Sequence, residues 1–160
     1  MLGGAAALGA CHGDAGPAAQ ATATTHAGMR AAPKKGPDAA ELTAGMVDSA
    51  SMGKSQLPVE LKFNLQQRPT LGQPLDIDIA VLPQIDAGPA DIDVAGDGLT
   101  MAVGAGHVEL AAVEAGQVYR QSFKVTPAAD GVLLLSLTVT LKHDEMSESR
   151  VFSIPLIVGH

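Results

Sequence analysis

Apolar and polar residues alternate along most of the chain after residue 57, which is the pattern of half-buried β-strands. Every second residue is apolar between 59 and 65, and the same spacing recurs between 75 and 81. Because successive side chains of a strand point to opposite faces, this spacing gathers the apolar residues on one face. Runs of this kind, bounded by Gly, Pro and Asp, predict seven or eight strands, at 59–65, 75–81, 92–94, 99–103, 108–110, 119–125, 132–141 and 152–158.

The most apolar run, 132–141, predicts a central strand over a core, since its leucines and Val139 fall at every second position. Pro155 has no N–H group, so it predicts that its half of the last strand lies at a sheet edge. The segment 142–149 is charged and predicts a loop. Gly96-Asp97-Gly98 predicts a tight turn between short strands.

So many short strands within about 100 residues, with turns every 8–12 residues, predict an all-β fold: an antiparallel β-sandwich of immunoglobulin-like type. The resemblance is to that architecture alone, because the chain has one Cys and no Trp. An up-and-down barrel is the alternative topology. The sandwich is favoured because an eight-stranded barrel needs longer strands to close.

Residues 11–57 have a different composition, rich in Ala, Gly, Thr and Pro, and predict a disordered, flexible linker ahead of a domain at 58–160. Few large apolar side chains are present, so burial cannot offset the entropy of ordering the segment. One short helix is predicted near 38–47, with Asp38 as its N-terminal cap.

The first residues form an apolar run of small side chains that ends at the only cysteine, as Leu8-Gly9-Ala10-Cys11. This tetrad resembles the lipobox of bacterial lipoprotein signal peptides. The resemblance implies a signal peptide at 1–10, a lipidated Cys11 and attachment to a membrane. Since His12 is not Asp, it further implies an outer-membrane lipoprotein facing the periplasm. No Lys or Arg precedes the run, so we expect the start codon to lie upstream and the signal peptide to be truncated.

Charge and aromatic content narrow the range of partners. The chain has a net charge of -7 and only 2% aromatic residues. It therefore offers neither the basic stripe nor the stacking rings of a nucleic-acid-binding protein. A single Cys excludes a disulfide framework and a Cys-based zinc cage within one chain.

Two pairs of acidic residues are candidate oxygen ligands for calcium, because residues two apart share one face of a strand. His107 and His143 are candidate copper ligands, although none of the histidines has a typical metal-binding spacing. A solvated sheet face is the favoured explanation of the acids, and we expect no metal site and no cofactor. The acidic candidates are Asp76 with Asp78, Asp91 with Asp93, and Asp97.

No spacing of Ser, His or carboxylate residues indicates a catalytic site, so we expect a non-enzymatic protein. The sequence therefore favours an envelope-anchored lipoprotein whose sandwich domain is a structural module or binds an unknown envelope protein. A periplasmic protein that binds calcium or copper is the alternative. A hydrolase with a site assembled from dispersed residues is the third hypothesis.

Overall fold

The computed structural model describes residues 38–143 and 145–159, and this part of the chain contains ten β-strands and one short helix. The elements are α1 (Ala39–Leu42), β1 (Val47–Asp48), β2 (Ala50–Met52), β3 (Val59–Leu65), β4 (Leu75–Pro83), β5 (Ala90–Ala95), β6 (Leu99–Met101), β7 (His107–Leu110), β8 (Tyr119–Pro127), β9 (Gly131–His143) and β10 (Met146–Val158).

The strands form two five-stranded antiparallel sheets. Sheet I has the order β1-β3-β4-β8-β6, and sheet II has the order β2-β10-β9-β5-β7. The strand orders β3-β4-β8 in sheet I and β10-β9-β5-β7 in sheet II correspond to strands A-B-E and G-F-C-C′ of the immunoglobulin arrangement. The fold is therefore the antiparallel sandwich that the sequence pattern predicts, and the barrel alternative is wrong.

The core lies between the inner faces of the two sheets. The long strands β9 and β10 contribute much of it, because alternate residues from Leu135 to Leu141 and from Phe152 to Val158 are buried. Sheet I supplies the opposite wall through β3, β4 and β8. The largest fully buried side chains are Phe152, Leu61, Leu75, Ile77, Ile79, Ile92, Leu135, Leu137, Ile154, Leu156, Val59 and Val81.

Residues 38–57 correct the predicted domain organisation, since they belong to the sandwich and not to a flexible linker. Strand β1 pairs with β3 in sheet I, and β2 pairs with β10 in sheet II. Ser49 lies where the chain changes sheet. Its N–H donates to the Leu61 carbonyl at 2.9 Å, and its hydroxyl donates to the Ser153 carbonyl at 3.1 Å. Backbone pairing orders this stretch, which is why its small-residue composition does not reveal it. The remainder of the predicted linker and the predicted signal peptide lie outside the described residues.

Arg150 holds this N-terminal segment against the sandwich. Its Nε donates to the Ser51 hydroxyl at 2.8 Å, and its Nη1 donates to the carbonyls of Leu57 at 2.8 Å and Val59 at 3.1 Å. The guanidinium also lies over the Phe152 ring, 5.4 Å from the centroid, within range of a cation–π contact. One side chain therefore joins β2, β10 and the start of β3.

The predicted helix is shorter than its sequence pattern, because it ends at Leu42 and Gly45 has a φ of 78°. Asp38 makes no capping bond with its side chain. Instead the Thr43 hydroxyl donates to the Ala39 carbonyl at 2.8 Å. The position of the predicted helix is confirmed, whereas its predicted length and its predicted cap at Asp38 are wrong.

Two predicted connections also differ. Most of 142–149 is strand, because β9 and β10 pair as far as His143 and Met146. The turn at Gly96–Gly98 does not close a hairpin, since β5 and β6 belong to different sheets. The prediction for Pro155 is confirmed: β2 covers β10 only at 151–153, so Pro155 lies on the uncovered part of the edge.

We expect Gly106→Ala to destabilise the domain. The Val94 N–H donates to the Gly106 carbonyl at 2.7 Å, and a Cβ at Gly106 would lie 2.8 Å from the Val94 carbonyl oxygen. Forcing these backbones apart should cost about 1–3 kcal/mol of unfolding free energy, measured by urea denaturation followed by circular dichroism. Gly159→Ala is the control, because a Cβ there meets nothing within 4 Å. Equal stabilities of the two variants would contradict the tight approach.

Candidate functional site

The structure separates the two pairs of candidate calcium ligands. Asp76 and Asp78 lie on β4 in sheet I, whereas Asp91 and Asp93 lie on β5 in sheet II. Each pair alternates with buried core residues and so points to the outer face of its own sheet. Because the two outer faces lie on opposite sides of the sandwich, the two pairs cannot bind the same cation.

In sheet I, both acids have cross-strand partners. Asp76 is paired with Lys124 at 3.3 Å, directly opposite it on β8. Asp78 accepts a hydrogen bond from the Gln66 side-chain amide. Such pairs are the usual side-chain contacts on the exposed face of an antiparallel sheet, and each contributes little to stability.

In sheet II, Asp91 and Asp93 also pair with neighbouring basic side chains. The Lys142 Nζ lies 2.8 Å from Asp91, and the His107 Nδ1 lies 2.8 Å from Asp93. The hydrogen bond to Asp93 raises the pKa of His107 above its usual 6.5, with smaller contributions from the charges of Asp93, Asp91 and Glu109. In the same way, the hydrogen bond to Asp91 raises the pKa of Lys142.

The other candidates lie apart from these pairs. Asp97 is in the turn after β5, and His143 is the last residue of β9. Within 38–143 and 145–159, no three His, Cys, Asp or Glu residues are grouped so that they could hold a metal ion. Cys11, the predicted lipidation site, lies outside the described residues.

A different feature stands out on the outer face of sheet II, where large apolar side chains are exposed. Val132 is 68% exposed, Leu134 50% and Ile157 75%. Leu134 lies opposite the exposed Pro155, and Val132 lies opposite Ile157, across the β9–β10 ladder. We call Val132, Leu134, Pro155 and Ile157 the apolar surface.

The strand pattern alone does not predict this surface, because alternation identifies only the face that is buried. The available signal is a break in alternation. Residues 132–135 and 156–158 are uninterrupted apolar runs, whereas polar Ser136, Thr138 and Thr140 occupy the outward positions further along β9. An apolar run at one end of an otherwise alternating strand thus marks a part of the sheet where both the inner and the outer face are apolar.

Two grooves border the apolar surface. The first, of about 510 Å³, lies between the ends of β3 and β10 and is lined by Leu65, Arg68, Pro69, Thr70, Pro155, Ile157 and Gly159. The second, of about 470 Å³, lies beside β5 and is lined by Ala95, Gly96, Asp97, Val132, Leu133, Leu134 and Ser136.

The first groove follows from the incomplete cover of the sandwich edge. Strand β1 pairs with β3 only at 62–63, and β2 pairs with β10 only at 151–153. Beyond the end of β10, the Gly159 carbonyl accepts a hydrogen bond from the Leu71 N–H at 3.3 Å. The Gly159 N–H donates to the Pro69 carbonyl at 3.4 Å. The stretch of β10 between these contacts pairs with β9 on one side, and within the described residues it has no neighbouring strand on the other side. We call this stretch, 154–158, the open edge.

Comparison with known proteins assigns no activity to the chain. No protein-family model matches the chain, and no curated protein sequence matches it. Among solved structures, the chain is similar to the C-terminal domain of wzt, at 16% identity and a TM-score of 0.49, over 69% of this chain and 78% of that one. It is also similar to a β-glucosidase from Listeria innocua solved with gluconolactone, at 20% identity and a TM-score of 0.40, over 68% of this chain and 17% of that one.

The one helix in the described part of the chain, α1, has four residues, so the described residues include no helix long and apolar enough to cross a membrane.

We expect the pKa of His107, followed by its NMR ring-proton shifts, to lie above 6.5 and to fall in Asp93→Asn. Because the folded-state pKa is raised, the pairing stabilises the fold fully below pH 6.5 and is lost as pH rises through the raised value. Asp76→Asn, on the opposite outer face, is the control and should leave the titration unchanged. A His107 pKa that Asp93→Asn leaves in place would contradict the pairing.

Proposed function

We propose that this protein is a non-catalytic interaction module of the bacterial envelope, tethered to the membrane through a lipidated Cys11 and binding another protein through its sandwich domain. The observation that supports the binding role is the apolar surface on sheet II, which is bordered by two grooves. We further propose that the domain faces the periplasm from the outer membrane, on the strength of the lipobox-like tetrad at residues 8–11.

The physical case for binding rests on the exposure of the apolar surface. Contiguous apolar patches on a soluble domain are small, and those bordered by polar residues often mark protein contacts. Here three large side chains are at least half exposed, next to a polar half of the same sheet. Full burial of a Leu, Ile or Val side chain is worth about 1.5–3 kcal/mol, so a partner that covers these residues gains stability from each.

The chemistry of the surface favours contact over reaction. The described residues that line the grooves are mainly aliphatic residues, prolines and glycines, and Arg68 and Asp97 are the charged ones among them. Apolar lining with a few polar groups is the usual composition of a recognition site.

For the anchor, we expect palmitate labelling of the full-length protein in its native host, and we expect Cys11→Ala to abolish it. The thiol is the group that would be alkylated, so Ala at this position removes the attachment point. Labelled lipoproteins of the same cells provide the control for uptake. Label that persists in Cys11→Ala, or that never appears in the native chain, would contradict the anchor.

For the interaction, we expect a photo-crosslinking amino acid placed at Leu134 to yield a discrete adduct in intact cells. The same amino acid at Arg120, exposed on β8 in the outer face of sheet I, is the control and should not yield that adduct. Mass spectrometry of the Leu134 adduct identifies the partner. The absence of any adduct at Leu134, or the same products at both positions, would contradict binding through this surface.

A further inference from the structure

We propose that the partner is held by strand addition: an extended peptide segment carrying one carboxylate side chain pairs with the open edge of β10 and places that carboxylate against Arg68. This inference rests on the proposed function, because it names the partner segment that the sandwich binds.

The open edge carries unpaired backbone groups, and Pro155 shows which ones. In an antiparallel ladder, residues alternate between those bonded to the neighbouring strand and those whose N–H and C=O point away from it. Pro155 has no N–H, so it takes a position that points away from β9, and Ile157 shares that direction. The contacts of Ser153 and Gly159 agree, because their backbone groups bond to residues on the edge side. Among the described residues, the Pro155 carbonyl and the Ile157 N–H and carbonyl therefore have no backbone partner and can pair with an added strand.

The length of the open edge suits a short peptide. Ala50, the first residue of β2, pairs with Ser153 and limits the open edge on one side. The bridge between Thr70 and Gly159 limits it on the other side. The distance along the strand between these two limits is about 20 Å at the usual rise per residue. An extended segment of about four or five residues fits between them, on the same side of β10 as β2 and in line with it.

The groove supplies side-chain recognition next to these backbone groups. Its volume of about 510 Å³ is within the range of specific ligand sites, and Leu65, Pro69 and Ile157 give it apolar walls. An added strand directs alternate side chains to one face, so every second residue can enter the groove. We therefore expect the bound segment to be apolar at those positions.

Arg68 defines the charge of the segment. Of the described residues that line this groove, it alone is charged. Among the described residues, the basic partners in the carboxylate pairs are Lys62, Lys124, Lys142 and His107, and none of these pairs uses Arg68. A guanidinium binds a carboxylate through two parallel hydrogen bonds, which fixes orientation as well as charge. The acidic domain around it disfavours a segment with several acids, because like charges repel, so a single carboxylate is the best match.

The test is a titration of the full-length protein with a fluorescein-labelled peptide amide, Val-Thr-Val-Thr-Asp-amide, followed by fluorescence polarisation. Both Val residues and the Asp share one face of this peptide, and the Asp side chain is its only carboxylate. We expect saturable binding, weakened about tenfold or more when Asn replaces Asp in the same amidated peptide, since a charge-assisted hydrogen bond is lost. Arg68→Gln should weaken binding of the Asp peptide to the same degree and remove its preference over the Asn-amide peptide. Arg120→Gln, on the outer face of sheet I, is the matched control and should change binding less than twofold.

Amide NMR distinguishes strand addition from simple apolar contact. The Ile157 amide should shift and become protected from exchange when the peptide is added, whereas the Leu156 amide, which is bonded within the β9–β10 ladder, should change little. Circular dichroism checks that each variant remains folded. Failure of the Asp peptide to saturate below about 1 mM, or equal binding by the native chain and Arg68→Gln, overturns the proposal. If the Leu134 adduct forms while the peptide fails to bind, the interaction role stands and strand addition is wrong.

Discussion

The contact between the inner faces of the two sheets is the constraint on which the rest of this domain depends. Alternate residues of β9 and β10 are buried against β3, β4 and β8, and Leu135, Leu137 and Ile154 are fully buried there. Because the side-chain period of a strand is two, this contact also fixes which residues face outward. The apolar surface, the paired acids and the available backbone groups of β10 are all consequences of one register.

The architecture could be predicted from sequence because the core repeats a simple period. The runs at 59–65, 75–81 and 132–141 each report a half-buried strand, and together they limit the fold to a sandwich or a barrel. The ordered segment at 38–57 could not be predicted in this way. Its strands are two and three residues long, and all their side chains are exposed. What orders them is backbone pairing and the reach of Arg150, and neither has a local sequence signal.

The candidate site was less accessible to prediction than the fold. Local spacing correctly places Asp91 with Asp93 on one face, but it cannot show that Asp76 and Asp78 belong to the other sheet. That separation depends on strand order, which is a long-range property. The apolar runs at 132–135 and 156–158 do carry a local signal. The groove beside them, in contrast, exists because β1 covers only a short part of β3 and β2 covers only a short part of β10.

Sandwich edges carry a hazard, because an unpaired strand can template the open-ended stacking of chains into fibrils. The available stretch of β10 limits that hazard through its boundaries. The short strand β2 closes one end, the bridge from Thr70 to Gly159 closes the other, and Pro155 removes one donor between them. A strand added there would be limited at both ends. The open edge therefore suits a short segment of fixed length and disfavours open-ended stacking of chains.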